Sequence, residues 1–168
     1  MSTTVTVNTY THTATYIASK MMLTLKEIVR ESGLDPGFLS NRWKRLEEGV
    51  AVWMRSRHLQ RITLEVYPLN NEKLAARWDL EVTYTTSDGT DGSFYTDTEL
   101  IRKSIAKVGL KPANCGYRFL VSTADGAPVL EGWTTRAFLP TDNFVRYSVG
   151  SQIGAPGASV ETSYWVSK

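Results

Sequence analysis

THTATYIASKMMLTLKEIVRESG, residues 11–33, is the stretch that decides the fold. Its apolar side chains recur at steps of three and four, the spacing of one face of an α-helix. The stripe consists of Ala14, Ile17, Met21, Leu25 and Ile28, widened by Ala18, Met22 and Val29. We expect Thr13 to be the N-cap and Gly33 to end the helix, because glycine adopts the left-handed conformation that closes one.

Length and composition indicate one globular domain of 168 residues. The net charge of +2 is too small to favour nucleic acid as a ligand by itself. No apolar run approaches the ~18 residues of a membrane span, and the N-terminus lacks the basic end and apolar middle of a secretion signal. The single cysteine, Cys115, cannot form an internal disulfide. This fits a reducing compartment, and we expect a cytoplasmic protein.

The next stretch predicts a second helix followed by a β-hairpin. Asp35 and Pro36 are typical of a helix start, and the apolar period then continues to Arg57 or His58. The period changes to two over residues 62–66 and 74–84. This alternation predicts two antiparallel strands with one face exposed to water.

The remaining segments complete an α+β pattern. Thr96 and Glu99 have the spacing of a capping box at the start of a third helix, which Gly109 would end. A strand is expected at residues 117–123. From residue 124 onward the chain is rich in glycine, proline and aromatic residues, and we call residues 124–168 the arm. It is too irregular for a helix and too aromatic to remain fully solvated.

The sequence contains no recognisable catalytic or metal-binding pattern. His12, His58 and Cys115 are too few to form a closed zinc site, and the common nucleotide-binding and nucleophile motifs are missing. Cys115 and His58 could in principle form a nucleophile–base pair, but a packed cysteine at the start of a strand is the simpler interpretation. We therefore expect no enzyme activity, no catalytic residue, no metal and no cofactor.

Two groups of charged residues allow alternative interpretations. Asp79 and Glu81 lie on one strand face at about 7 Å, near the spacing of acid/base carboxylate pairs. Because Arg77 lies beside them and Arg61 opposite, we interpret this face as charge-balanced and exposed. A basic cluster could bind phosphates or an acidic protein, or could be a solvated helix face; it comprises Arg42, Lys44, Arg45, Arg55, Arg57 and Arg61.

The order of these motifs resembles that of bacterial HORMA-domain proteins. The resemblance is carried by T-H-T-A-x-Y-I-A-x-K-M from Thr11, W-x-x-L-E-x-G-V-x-x-W-M from Trp43, H-L-x-x-[IV]-T-L-E-V-Y from His58, and S-Y-W from Ser163. It implies an antiparallel sheet backed by three helices, with a C-terminal safety belt that moves between open and closed arrangements and wraps a closure-motif peptide as an added strand.

The resemblance also implies a non-enzymatic signalling adaptor and its partners. In the CBASS operons of anti-phage defence, such proteins bind a cGAS/DncV-like nucleotidyltransferase in the closed, peptide-bound form and activate it. An AAA+ ATPase grips the N-terminal segment and restores the open form. The alternative from the residues alone is a small nucleic-acid- or ligand-binding α+β domain that uses the basic helix face.

Carried onto this chain, the resemblance gives a flexible tail at residues 1–11, a core at 12–123 and a belt at 124–168 within a single domain. The remodeller's handle would be Thr3, Thr4, Val5, Thr6, Val7, Asn8 and Thr9. The strand at 117–123 would receive the peptide. We expect the peptide or belt to be held by Tyr117, Phe119, Val121, Trp133, Phe138, Phe144, Tyr147 and Trp165. A possible partner surface comprises Arg42, Arg45, Arg55 and Arg57.

Overall fold

The computed structural model describes residues 9–85, 93–109 and 114–168. In these ranges three helices pack on one six-stranded antiparallel sheet. The elements run along the chain as α1 (Thr9–Glu31), α2 (Pro36–Arg55), β1 (Leu59–Pro68), β2 (Ala76–Tyr84), β3 (Tyr95–Thr96), α3 (Thr98–Val108), β4 (Cys115–Thr123), β5 (Phe144–Ala155) and β6 (Ala158–Ser167). No helix in the described ranges is both long and apolar enough to cross a bilayer.

Helix α1 is the centre of the core, as its apolar stripe predicts. The whole stripe is buried, and Ile17, Met21 and Leu25 are completely inaccessible to solvent. The expected start of the helix is wrong: α1 begins at Thr9, and Thr13 lies inside it. The Thr13 hydroxyl, fully buried, donates a hydrogen bond to the Pro156 carbonyl at 2.6 Å. A threonine suited to capping therefore serves a tertiary contact.

Helix α2 begins as predicted, whereas α3 begins one residue later than predicted. Asp35 caps α2 as predicted, and its carboxylate accepts the Gly37 N–H at 2.9 Å. The predicted capping box of α3 is wrong by one residue. Asp97, not Thr96, accepts the Leu100 N–H, at 3.0 Å, because Thr96 belongs to the short strand β3.

The sheet order is β3-β5-β6-β2-β1-β4. The predicted β1–β2 hairpin is its centre, with Leu64 opposite Trp78. Strand β4 pairs with β1 and forms one edge of the sheet. The β5–β6 hairpin of the arm pairs with the other side, through β6 on β2. The β5–β6 hairpin and β4 therefore flank the central hairpin from opposite sides.

The expectation that Arg77, Asp79 and their neighbours form an exposed face is wrong. Arg77 is 6% exposed and Asp79 is 1% exposed. Glu65, on the same face of the neighbouring strand, is fully buried. The outer pair remains accessible, with side-chain exposures of 29% for Arg61 and 40% for Glu81. The arm covers this face, and burial of these charged side chains is tolerated because they pair with one another.

Candidate functional site

The outer edge of β4 is unpaired along its length in the described part of the chain. Leu69 N–H donates to the Asn114 carbonyl and Ala124 N–H to the His58 carbonyl, both at 2.8 Å. In an antiparallel pair, backbone groups alternate between the two sides of a strand. The N–H and C=O groups of Phe119 and Val121 therefore point away from β1. No backbone hydrogen bond from another described residue reaches them.

Residues 124–143, here called the crossing segment, first run along helix α2. The Trp53 indole N–H donates to the Pro128 carbonyl at 2.9 Å, and the Trp53 and Trp133 rings meet edge to face at 4.9 Å. A Cβ on Gly49 would lie 2.7 Å from Trp133 Cζ2. Only a glycine at this position of α2 lets the Trp133 indole approach so closely.

The crossing segment then continues on the opposite face of the sheet. The Ala137 carbonyl accepts from Arg118 Nη2 at 3.1 Å, and Leu139 N–H donates to Glu65 Oε2 at 2.7 Å. Neighbouring side chains of a strand point to opposite faces, so Arg118 lies away from α2 while Phe119 faces it. Between Trp133 and Ala137 the segment therefore passes around the outer edge of β4.

A groove of about 560 Å³ lies between this edge, α2 and the crossing segment. Its apolar surface includes Phe38, Leu46, Trp53, Phe119, Val121, Leu130 and Trp133. Its polar rim includes Arg42, Arg45, Arg118 and Arg136. An unpaired strand edge beside apolar pockets is suited to an extended peptide, which pairs its backbone with the edge and inserts alternate side chains.

The C-terminal hairpin is fastened to the sheet by a buried polar network. The Asp79 carboxylate accepts from the Thr63 hydroxyl at 2.7 Å, from Arg77 Nε at 3.0 Å and from the Trp165 indole N–H at 2.8 Å. The Arg77 guanidinium lies 4.7 Å from the Phe138 ring and 5.1 Å from the Trp165 ring. The crossing segment and the β5–β6 hairpin are thus both attached to the charged face of the sheet.

Seven of the eight residues predicted to hold the peptide or belt are distributed over three places. Phe119, Val121 and Trp133 line the groove together. Phe138 and Trp165 lie in the polar network on the other face. Phe144 and Tyr147 lie on β5, where the Tyr147 ring stacks on Tyr164 at 5.6 Å.

Tyr117 faces α2 but serves the helix start. Its hydroxyl donates to the Asp35 carbonyl and accepts the Leu39 N–H, the latter at 2.9 Å. Its side chain is buried, which raises the pKa of the phenol. Tyr117 therefore fixes the start of α2 against β4, the two elements between which the groove lies.

The basic cluster is also divided by the structure. Arg42 and Arg45 line the groove, whereas Arg57 stacks on the Tyr10 ring at 3.9 Å. Arg55 is exposed at the end of α2. Of the predicted handle, Thr9 begins α1, and the rest lies outside the described residues: Thr3, Thr4, Val5, Thr6, Val7 and Asn8.

Several residues of the site were given no role in the sequence analysis, although Gly49 and Glu65 belong to the motifs quoted there. Glu65 and Arg118 fix the crossing segment through Leu139 and Ala137, and Gly49 and Arg136 shape the groove. Glu65 carries a faint signal, since it is an acid in the middle of a strand otherwise rich in apolar residues. Gly49 carries another, because glycine is unfavourable within a helix unless close packing requires it.

The possible cysteine–histidine pair is not assembled. Cys115 lies opposite Pro68 at one end of β4, whereas His58 binds Ala124 just beyond the other end. These ends are separated by about 27 Å, given the rise of a strand. Partial burial raises the pKa of the Cys115 thiol, which reduces its thiolate fraction. Among the described residues, no three His, Cys, Asp or Glu side chains cluster as a metal site would require.

Comparison with known proteins gives a match to a family model. The model described as "Bacterial HORMA domain 2" matches residues 2–168. No curated protein matches the sequence significantly.

Solved structures are similar in fold at low sequence identity. A chain in the crystal structure of the mitotic checkpoint complex superposes with a TM-score of 0.73 at 12% identity, over 93% of this chain and 99% of that one. C. elegans HTP-1 bound to the HIM-3 closure motif superposes with a TM-score of 0.66 at 11% sequence identity, over 92% of this chain and 89% of that one. A chain of the E. coli MS115-1 CdnC:HORMA-deltaN complex superposes with a TM-score of 0.60 at 13% sequence identity, over 92% of this chain and 87% of that one.

Proposed function

The chain belongs to the bacterial HORMA domain 2 family and has the HORMA fold, and on this premise we propose that it is a non-enzymatic, peptide-binding signalling adaptor. One observation carries the proposal: the crossing segment contacts α2 on one face of the sheet and Arg118 and Glu65 on the other, so it passes around the unpaired outer edge of β4. A closure-motif peptide would add to this edge as a further strand. Similar structures include a HORMA protein solved with such a motif.

The position of the arm supports a closed, binding-competent arrangement. The β5–β6 hairpin occupies the β2 side of the sheet, so it leaves β4 free. An added strand along the nine residues of β4 would gain main-chain hydrogen bonds and insert alternate side chains against Phe119, Val121 and Trp133. A hairpin moved to β4 would instead block the site, which is the requirement for a ligand-biased switch.

The likeness to the HORMA-deltaN chain of the E. coli MS115-1 CdnC complex supports a partner protein for this chain. We assign this chain the same class of partner, a cGAS/DncV-like nucleotidyltransferase of a cytoplasmic CBASS defence system. Binding of the closed form would activate cyclic oligonucleotide synthesis. The adaptor would then report the presence of its closure motif to the enzyme.

The start of α1 offers a route for resetting the switch. Thr13 is bonded to Pro156 at the tip of the β5–β6 hairpin, and a Cβ on Gly157 would lie 3.7 Å from Tyr10 Cδ1. An AAA+ ATPase that grips residues 3–9 and unwinds the start of α1 would remove these contacts. The hairpin would lose support on its helix side, favouring return to the open arrangement.

A proline substitution at the β4 edge tests the proposal. Val121→Pro removes a backbone N–H that points outwards while leaving the β1 ladder intact, because proline is tolerated on the free side of an edge strand. Val121→Ala is the matched control, since it trims the same side chain but keeps the donor. We expect only Val121→Pro to abolish peptide binding and peptide-dependent activation of a nucleotidyltransferase encoded beside this protein.

The readouts are peptide affinity by fluorescence anisotropy and cyclic oligonucleotide synthesis, with circular dichroism to verify that both variants fold. Equal binding by the proline and alanine variants would contradict strand addition at β4. Peptide binding without any effect on nucleotidyltransferase activity would contradict the signalling role while leaving the binding site in place.

A further inference from the structure

We infer that the peptide taken up by the groove is acidic, with carboxylate side chains near an apolar anchor residue. This inference rests on the proposed function and adds the chemistry of the ligand. The observation behind it is the charge of the groove: four arginines line it, and no aspartate or glutamate does so among the described residues.

Three of these arginines have no carboxylate partner. Arg118 is compensated, because its Nε donates to Glu65 at 2.7 Å. Arg42, Arg45 and Arg136 are exposed, and none takes part in an ion pair within the described ranges. Three unpaired guanidinium groups around one groove create a positive potential that a ligand of opposite charge would complement.

One of the three guanidinium groups is stacked in place before any ligand binds, and a second packs against the backbone of the crossing segment. The Arg42 guanidinium stacks on the Phe38 ring at 3.7 Å. Arg45 crosses the backbone at Gly132, where a Cβ would lie 3.0 Å from its Cζ. Stacking uses the flat face of a guanidinium and leaves its edge N–H donors available for a carboxylate. Less side-chain entropy is then lost on binding.

A neighbouring hollow moderates the charge without cancelling it. It shares Arg42, Arg45, Leu130 and Trp133 with the groove and adds Lys44, Glu48 and Glu131. Even with its two glutamates, basic groups outnumber acidic ones around the combined surface. We therefore expect the carboxylates of the ligand to bind at Arg42, Arg45 and Arg136.

The free strand edge decides between a peptide and a nucleic acid as the acidic ligand. The outward N–H and C=O groups of Phe119 and Val121 lie beside the arginines. A peptide backbone offers both donors and acceptors to such an edge, whereas a phosphodiester backbone has no N–H to continue the ladder. A peptide uses both features of the groove at once.

Strand geometry also fixes the spacing within the ligand. Arg42 and Arg45 lie on α2, on the same side of the sheet as the apolar groove surface formed by Phe119 and Trp133. Side chains two positions apart in a strand share a face. We expect an apolar anchor with an aspartate or glutamate two residues before or after it.

The test begins with display of random peptides of about twelve residues, long enough to span β4, selected on the full chain and sequenced. We expect enrichment of aspartate and glutamate at the stated spacing. Replacing these residues by asparagine and glutamine in a synthetic selected peptide should weaken binding by about five- to tenfold, the size of a partly exposed charge-assisted hydrogen bond.

Matched arginine variants connect this effect to the groove. Arg42→Ala and Arg45→Ala should each weaken the acidic peptide but not its neutral version, whereas Arg55→Ala, outside the groove on the same helix, should change neither. Arg45→Glu should restore binding of a peptide in which the partnering acid is lysine. This charge exchange reports a direct contact.

Three results would overturn the inference. Peptides that depend on the β4 edge but show no acidic preference and no response to the arginine variants would remove it while leaving the proposed function intact. Failure to select any peptide that is sensitive to Val121→Pro would remove both. A single-stranded oligonucleotide that binds more tightly than every selected peptide and is lost in Arg42→Ala would identify a phosphate ligand instead.

Discussion

The carboxylate of Glu65 accepts a hydrogen bond from the backbone N–H of Leu139 at 2.7 Å. Its other oxygen accepts from Arg118 Nε at the same distance. One fully buried acid thus connects β1, β4 and the crossing segment. The polar face of the central strands is an attachment surface for the arm.

Glu65→Gln should strongly destabilise the protein. The substitution removes the negative charge that compensates Arg118, and breaking a buried ion pair typically costs about 3 kcal/mol or more. We expect a loss of this size in the free energy of unfolding, measured by urea denaturation. Glu81→Gln is the control, because Glu81 is 40% exposed and its arginine partners are 3.7 and 3.8 Å away. Equal losses for both variants would contradict the attachment role of Glu65.

Trp165→Phe should weaken the hold of the C-terminal hairpin. The change keeps an aromatic ring but removes the indole N–H that Asp79 accepts at 2.8 Å. A hydrogen bond to a buried charged group is worth about 2 kcal/mol. We expect this loss in thermal stability and faster amide hydrogen exchange in β6. Tyr147→Phe on the exposed face of β5 should leave both unchanged, and a similar effect there would argue against the specific Asp79 contact.

Gly49→Ala provides a test in which two effects have opposite signs. Helix propensity alone would stabilise α2 by about 1 kcal/mol. The added Cβ would instead meet Trp133 Cζ2 at 2.7 Å and displace the indole. We expect displacement to dominate, so that Trp133 becomes more solvated in fluorescence and peptide affinity falls. A more stable protein with unchanged fluorescence would show that the crossing segment accommodates the added Cβ by a small shift and that Trp133 stays packed on α2.

Thr13→Val should loosen the tip of the β5–β6 hairpin. Valine matches the shape of threonine but cannot donate to the Pro156 carbonyl. We expect a loss of about 1 kcal/mol and faster hydrogen exchange near residues 155–158. Thr15→Val on the exposed side of α1 is the control. If exchange at the hairpin tip is the same in both variants, α1 does not stabilise the hairpin through this bond.

Cys115 should react slowly with alkylating reagents in the folded protein. Its pKa is raised by burial, so at a given pH near 8 less thiolate is present than in the unfolded chain. We expect slower labelling by iodoacetamide than in urea at the same pH, and the ratio should shrink as the pH rises toward the raised pKa. Equal rates in both states would contradict the burial of this thiol.

The local spacing of residues was sufficient to predict the helical core but not the burial of the charged face of the sheet. The stripe from Ala14 to Ile28 is buried as predicted, because helical periodicity is a property of neighbouring residues. Arg77 and Asp79 alternate with apolar residues in β2, as residues of an exposed strand face do, but both are buried. Their cover is Phe138 and Trp165, residues so distant in sequence that no local pattern connects them.

The same limit applies to the candidate site. Phe119, Val121 and Trp133 could be named from their apolar character in a strand and in the arm, and the structure brings them into one groove. The importance of Gly49 and Glu65 arises from where the crossing segment passes. That path depends on contacts between distant segments, so it is visible only in three dimensions.

The path of the crossing segment would give a peptide complex at β4 a distinct kinetic property. A strand paired with β4 would lie inside a loop of chain that is fastened on one side by Trp133 on α2 and on the other by Leu139 on Glu65. If folded domains flank the bound strand, it cannot slide out lengthwise. Its residence time is then set by how often the loop opens, and a ligand with modest equilibrium affinity would remain threaded long after its free concentration has fallen.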